Sequence, residues 1–246
     1  MASDSAASFG SGGQYTIGQQ EMTKVRNLSD AMLYSSTGAV GMAQLICYRL
    51  EKCWNPTYFL NSSPPEAMQK LGPEINQVVA GYIQTGQMLR AEGGLNAALC
   101  KSLLAIPLRD SPSLIQFDFN GAPEAATKEL PFVALGSGQS IADPFLAFLK
   151  RILWKDRDLT VAEGRFAAAW TIEHVIRTNP GGVGGPLQLA TLTMSGGKPK
   201  IDMITDTAEH QEAVREAERV LSEHIHNSLG SGTTSSTGEE VPKPQK

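Results

Sequence analysis

The sequence predicts a single α+β domain. Three observations predict it. Stretches with a two-residue apolar period and stretches with a helical period come in blocks: strands, two helices, strands, two helices, strands and a last helix. Gly, Pro, Asn and Asp punctuate the joins between the blocks. Finally, 246 residues with 41% hydrophobic content suffice to bury one core.

Met1 to Ser5 read as the end of an inner strand that carries an acid, Asp4. Residues 8–20, rich in Gly, Ser and Gln, are a loop. Residues 21–27 and 31–36 are strands about a turn at Asn27-Leu28-Ser29-Asp30. Thr37-Gly38-Ala39 opens a helix in which Met42, Ile46, Leu50 and Trp54 recur every fourth residue. Pro56, Pro64 and Pro65 interrupt the chain after it. Ser62 or Ser63 caps the next helix. That helix breaks or kinks at Leu71-Gly72-Pro73, resumes with a stripe of Ile75, Val78, Val79, Tyr82 and Ile83, and ends at Gly93-Gly94.

Residues 97–108 and 113–119 form a hairpin about Arg109-Asp110-Ser111-Pro112, with Ile115, Phe117 and Phe119 on its apolar face. Asn120-Gly121 closes it, and 131–135 is a short buried strand. Residues 143–153 and 160–177 are helices, the second opened by a capping box at Thr160-Val161-Ala162-Glu163. A flexible turn over 179–185 leads to a second hairpin, 187–194 with 200–204, across Ser195-Gly196-Gly197. Residues 207–228 are a charged amphipathic helix. The domain spans 1–228, and the polar tail 229–246 is disordered.

Composition excludes several classes. The 21 basic and 25 acidic residues give a net charge of −4 without a basic stripe, which argues against nucleic acid as a partner. No apolar run is long enough to cross a membrane, so no membrane partner is expected. Met1 to Ser5 have neither the basic nor the apolar region of a signal peptide. Cys47, Cys53 and Cys100 lack CxxC spacing and read as reduced, core-filling thiols, which fits a cytoplasmic protein. His174, His210, His224 and His226 contain no i,i+4 metal pair. The glycines of 181–185 lack a GK[ST] ending and precede a strand, so they are not a phosphate loop.

Two stretches carry chemistry. One is Glu129-Leu130-Pro131-Phe132-Val133-Ala134-Leu135-Gly136-Ser137-Gly138, followed by a small-residue helix and the Thr-x-x-Glu helix start. The other is Ala2-Ser3-Asp4-Ser5, then Lys24-Val25, then Ser36-Thr37-Gly38 before a helix. In this order, over Met1 to about Ile204, they resemble the proteasome β-type family of N-terminal nucleophile hydrolases. Read alone, Asp4 and Lys24 are surface charges, Gly38 a turn glycine and Ser137 a helix cap.

The resemblance implies a four-layer αββα sandwich. It implies a threonine-type endopeptidase that hydrolyses peptides or unfolded protein through a covalent acyl-enzyme, and a ring-shaped homo-oligomer with helices at its subunit contacts. It implies no metal or organic cofactor. In such a site the N-terminal hydroxyl attacks, and its own α-amine, of pKa about 8, takes the proton. Lys24 matches the lysine beside that hydroxyl, and Asp4 the acid that pairs it. Gly38 matches the glycine whose amide faces the oxyanion, and Ser137 the serine that bonds near the terminal amine.

Two departures follow. The strand bearing the nucleophile is expected ahead of Met1; excision of Met1 would expose Ala2, which has no nucleophilic side chain. The 179–185 loop keeps the glycines but not the family's acid and hydroxyl. As written, the chain therefore reads as inactive, and active only with an upstream Thr, Ser or Cys. A non-catalytic ring or scaffold subunit of the same fold is the first alternative. An unrelated α+β binding module is the second.

Overall fold

A computed structural model describes residues 1–7, 20–88, 99–154, 157–179 and 183–230. The expectations for the loop 8–19, for Gly93-Gly94, for 180–182 and for the tail past 230 lie outside the described residues.

The architecture is a four-layer αββα sandwich. One sheet runs β4 (Arg26–Leu28), β5 (Met32–Gly38), β6 (Cys100–Pro107), β7 (Pro112–Phe117) and β8 (Pro123–Ala125), all antiparallel. The second runs β1 (Ala2–Ser3), β9 (Gln188–Ser195) and β10 (Lys198–Ile204), also antiparallel. A small ladder pairs β2 (Ala6–Ala7) with β3 (Gln20–Glu21).

Alternation along the central strands produces the layering. On β5, Met32 and Tyr34 face the helices α1 (Val40–Cys53) and α3 (Pro64–Met88), while Leu33 faces the other sheet. On β6, Leu104 and Ile106 join the same helical core, and Ala105 joins the inter-sheet core with Val25, Leu33 and Ala190. Both faces of β6 are thus covered, and Leu104 and Ile106 have no exposed surface at all. Truncating either to Ala costs about 2–5 kcal/mol. On the far side, α5 (Val161–Thr178) packs on the second sheet with α4 (Gln139–Leu153) against it, and α6 (Ala208–Gly230) packs on this pair through Val214. Past Glu218, α6 is exposed along its length, with Val220, Leu221, Ile225 and Leu229 open to solvent.

Local chemistry explains most boundaries. Ser29 and Asp30 take positive φ (54° and 50°) to close the tight β4–β5 turn. Thr160 and Glu163 form the reciprocal capping box at α5. Ser63, not Ser62, sits at the start of α3, where Glu66 accepts from both its amide and its hydroxyl at 2.7 Å. Asn55 caps a short helix, α2 (Pro56–Phe59), that periodicity did not announce.

Three expectations are corrected. The strand expected over 21–27 survives only at its ends, as β3 and β4, because the Lys24 and Val25 amides between them bond a side chain, that of Gln188, instead of a neighbouring strand. Helix α3 runs unbroken through Pro73. Leu71, Ile75 and Val79, all within 1% of full burial, anchor it on both sides, and that burial outweighs the ~3 kcal/mol a mid-helix proline costs. Residues 131–135 form no strand. A turn (Thr127 N–H to the Leu130 carbonyl, 3.0 Å) precedes them, and Lys150 bonds the Glu129 carbonyl, so the segment is drawn toward α4 rather than into a ladder.

Candidate active site

Asp4 follows β1 and is 9% exposed. Its Oδ1 accepts from Lys24 Nζ at 2.7 Å, and its Oδ2 accepts from the amides of Ala6 and Gly184, each at 3.1 Å. The bond to Ala6, two residues on, is an Asx turn, so the same carboxylate bends the chain and holds the cation. An ion pair so removed from water persists only with its remaining lone pairs satisfied, and the two amides do that.

Lys24 comes from 22–25, a connection between β3 and β4 that belongs to no strand. Its backbone is held by one side chain. Gln188, the first residue of β9, accepts the Lys24 and Val25 amides on Oε1 (2.8 and 3.2 Å) and donates from Nε2 to the Met22 carbonyl (2.5 Å). The Met22 amide in turn donates to the Ser5 carbonyl at 2.8 Å. Gly184 completes the enclosure, its carbonyl accepting from the amides of Ser5 and Ala6 (3.1 and 2.9 Å). Gly185 has φ +76°, and a Cβ there would lie 2.3 Å from Ser5 Oγ, a buried hydroxyl without a partner among the described residues.

Gly38 ends β5 with φ +105°, and a Cβ would fall 2.2 Å from the Leu99 carbonyl oxygen, so only glycine fits. Helix α1 begins two residues later, without a side-chain cap. Its first-turn amides are therefore left without the side-chain acceptor such donors usually have. Ser137 lies in the turn into α4 and is exposed. It is not the cap that its sequence position allowed: Gly138 holds that place, without a side-chain cap bond. The Ser137 carbonyl accepts from Asn179 Nδ2 at 3.4 Å.

The structure joins these residues in two groups. Asp4 and Lys24 are in direct contact. Gly38 and Ser137 are near each other through neighbours, since a Cβ on Gly136 would lie 3.6 Å from Thr37 Oγ1. The groups connect through Val183, which packs with Val175 in the cluster beneath the start of α4 and precedes the Gly184 that bonds Asp4. No direct bond links Ser137 to Lys24 among the described contacts.

The α-amine of Met1 is elsewhere. It donates to the Ala190 carbonyl at 2.9 Å, and burial, with the nearby Arg165 charge, lowers its pKa to about 6. Three steps of extended chain, roughly 10 Å, separate it from Asp4.

Gln188 and Gly184 were missed from sequence. Gly184 stood in a glycine-rich turn whose bonding was not foreseen. Gln188 opens an ordinary alternating strand and gives no signal. Among the described residues no cluster of three or more His, Cys, Asp or Glu could hold a metal. A cleft of about 400 Å³, lined by Leu108, Pro112, Leu114, Pro131, Trp154 and Leu159 among others, shares no residue with the site.

No family model matches the chain, and no curated protein matches its sequence. Solved structures do match. Anbu (ancestral beta-subunit) from Yersinia bercovieri is 19% identical, with a TM-score of 0.59, over 98% of this chain and 94% of that one. The Anbu complex of Pseudomonas aeruginosa, solved as a helical assembly, is 18% identical, with a TM-score of 0.61, over 99% and 92%. An Anbu Gly-1 mutant from Hyphomicrobium sp. strain MC1 is 16% identical, with a TM-score of 0.61, over 93% of each chain.

The fold is shared with the Anbu proteins. At an identity this low the likeness carries the fold alone. The resemblance to the proteasome β-type family is thereby corrected. The motifs behind it include positions that the local backbone demands: a left-handed glycine at 38, another at 136 (φ +105°) and an Asx turn at Asp4.

Proposed function

We propose that this chain is a subunit of a proteasome-like homo-oligomer, and that its Asp4–Lys24 pair serves a threonine-type site hydrolysing peptide bonds. One observation carries the reading: a lysine side chain only 22% exposed, held at 2.7 Å by a carboxylate whose second oxygen two amides already satisfy. A buried pair is a poor way to gain stability, because desolvation offsets much of the attraction. Beside an attacking hydroxyl the same ammonium is useful. It eases loss of the hydroxyl proton and stabilises the negative charge that develops on attack. In this reading a terminal Thr, Ser or Cys supplied by sequence upstream of Met1 attacks the peptide carbonyl. Its amine takes the proton and passes it to the leaving amine, and water then cleaves the ester or thioester. Gly38 and the uncapped start of α1 supply amides for the oxyanion, and Ser137 supports the terminal amine.

The test is to read the gene in frame upstream of Met1, express that longer chain, and treat it with an acylating peptide electrophile. Stoichiometric modification of the N-terminal residue, seen by intact mass, supports the reading. A stop codon directly upstream, or no modification of a folded extended chain, contradicts it.

The second reading is a non-catalytic subunit of the same assembly. It is favoured by the exposed apolar residues Val220, Leu221, Ile225 and Leu229 on α6, which suit a subunit contact and owe nothing to the site. Molecular mass by light scattering tests assembly in both readings. A strict monomer would oppose both.

A further inference from the structure

We infer that Gln188 is a positioning residue that sets Lys24 against Asp4. The inference rests on the proposed role of that pair and names the device that aligns it. Lys24 and Val25 lie between two sheets in a segment without ladder partners, so their amides need acceptors from elsewhere. One side chain provides them. The Gln188 amide makes three bonds to three successive peptide units, at 2.8, 3.2 and 2.5 Å, across more than 160 residues of chain. It uses both its acceptor and its donor, so the orientation of the amide is fixed by the bonds themselves.

The geometry around it is closed. Gln188 pairs with Ser3, the residue just before Asp4, and its side chain grips the peptide units around Lys24. The two members of the ion pair are therefore indexed to the same residue: Asp4 through the β1–β9 ladder, Lys24 through the carboxamide. A shift of the 22–25 segment by one residue would break all three bonds at once and carry Lys24 Nζ away from Asp4 Oδ1. Glutamine is what the place requires. A hydrocarbon of the same length offers no acceptor, and a glutamate keeps the acceptor for the two amides but loses the donor to Met22.

The experiment compares the wild-type chain with Gln188→Met, Gln188→Glu and Leu189→Ala. Leu189 is 2% exposed and adjacent on the same strand, so its truncation loosens β9 without touching the carboxamide bonds. Two readouts are taken by mass spectrometry: hydrogen exchange of the peptide covering 22–25, and the rate at which an amine-acylating reagent modifies Lys24, scaled to Lys198 and Lys200 on β10. Gln188→Met is expected to speed both by at least tenfold. Gln188→Glu should restore most of the amide protection, and Leu189→Ala should change Lys24 acylation less than twofold. Unchanged Lys24 acylation in Gln188→Met overturns the inference, as does an equal rise in Leu189→Ala. Should Gln188→Met fail to fold, scalar couplings in the wild-type protein decide: coupling from the Lys24 and Val25 amides to the Gln188 carboxamide carbon supports the inference, and its absence overturns it. None of these readouts needs catalysis, so a failed peptidase assay leaves them interpretable.

Discussion

Replacing Asp4 by Ala removes the acceptor of three bonds: the Lys24 ammonium at 2.7 Å and the Ala6 and Gly184 amides at 3.1 Å. The Ala6 amide keeps its second acceptor, the Gly184 carbonyl at 2.9 Å, so only the Gly184 amide is orphaned, at a cost of about 1–3 kcal/mol in a buried setting. Breaking a buried ion pair by deleting one member costs about 3–5 kcal/mol when the survivor stays dry. Here the Lys24 side chain is 22% exposed and recovers part of its hydration, so the lower end applies to the pair. Adding the one orphaned amide to the lower end for the pair gives an expected loss of about 4–6 kcal/mol, roughly a 10 °C fall in melting temperature for a chain this size. Asp4→Asn keeps one acceptor and loses the charge, and should cost about 2 kcal/mol. The double variant Asp4→Ala/Lys24→Met removes the stranded cation and should be more stable than Asp4→Ala alone. Urea unfolding with a full double-mutant cycle measures all of this. A loss under 1 kcal/mol for Asp4→Ala, or no coupling with Lys24, would refute the reasoning.

Glycine substitutions separate strain from propensity. Gly38→Ala forces a methyl against the Leu99 carbonyl and should cost at least ~2 kcal/mol, whereas Gly81→Ala, in a helix with open space around the new methyl, should gain about 0.5–1 kcal/mol by thermal melts. Burial, with the Cys100 thiol nearby, holds the Tyr34 phenol far above the usual tyrosine range. It stays protonated in the folded state when an unfolded tyrosine would ionise, so its contribution is intact below about pH 10 and stability falls as pH rises further. An alkaline absorbance titration should find at least one of the five tyrosines silent until unfolding. Burial likewise raises the pKa of the Cys47 and Cys100 thiols, so both should resist a thiol reagent at pH 8 in the folded protein and react fully in denaturant. Among the described residues Arg219 pairs with Glu216 and Glu223 on the exposed face of α6, and Arg219→Ala should change stability by less than about 1 kcal/mol, measured by urea unfolding.

Most of the sandwich was legible because its elements advertise themselves. The stripe of Met42, Ile46 and Leu50, the capping box at Thr160 and the double-glycine turn at Gly196-Gly197 are local signals, and local structure obeys them. The misses came where tertiary contacts overrule local preference. Pro73 should end a helix in isolation, yet buried leucine, isoleucine and valine on either side carry α3 through it. Residues 131–135 have strand composition but no partner edge. The three-residue strand β8 is too short to show a period. At the site, the contact between Asp4 and Lys24 came from resemblance; nothing in the spacing of two charges twenty residues apart requires it. Gln188 was invisible for a deeper reason. Its value lies in three backbone groups of a distant segment, and backbone groups have no sequence.

The central claim is that the Lys24 ammonium, fixed by Asp4, exists to assist an attacking hydroxyl. Peptide hydrolysis by the in-frame, upstream-extended chain, with and without Lys24→Met, tests it most directly. The account predicts turnover of a fluorogenic peptide by the parent and a loss of about 10²-fold or more in kcat in a variant still folded by melting, the scale typical of removing a proton-transfer or oxyanion-stabilising group. A folded Lys24→Met chain that cleaves peptide as fast as its parent would contradict it.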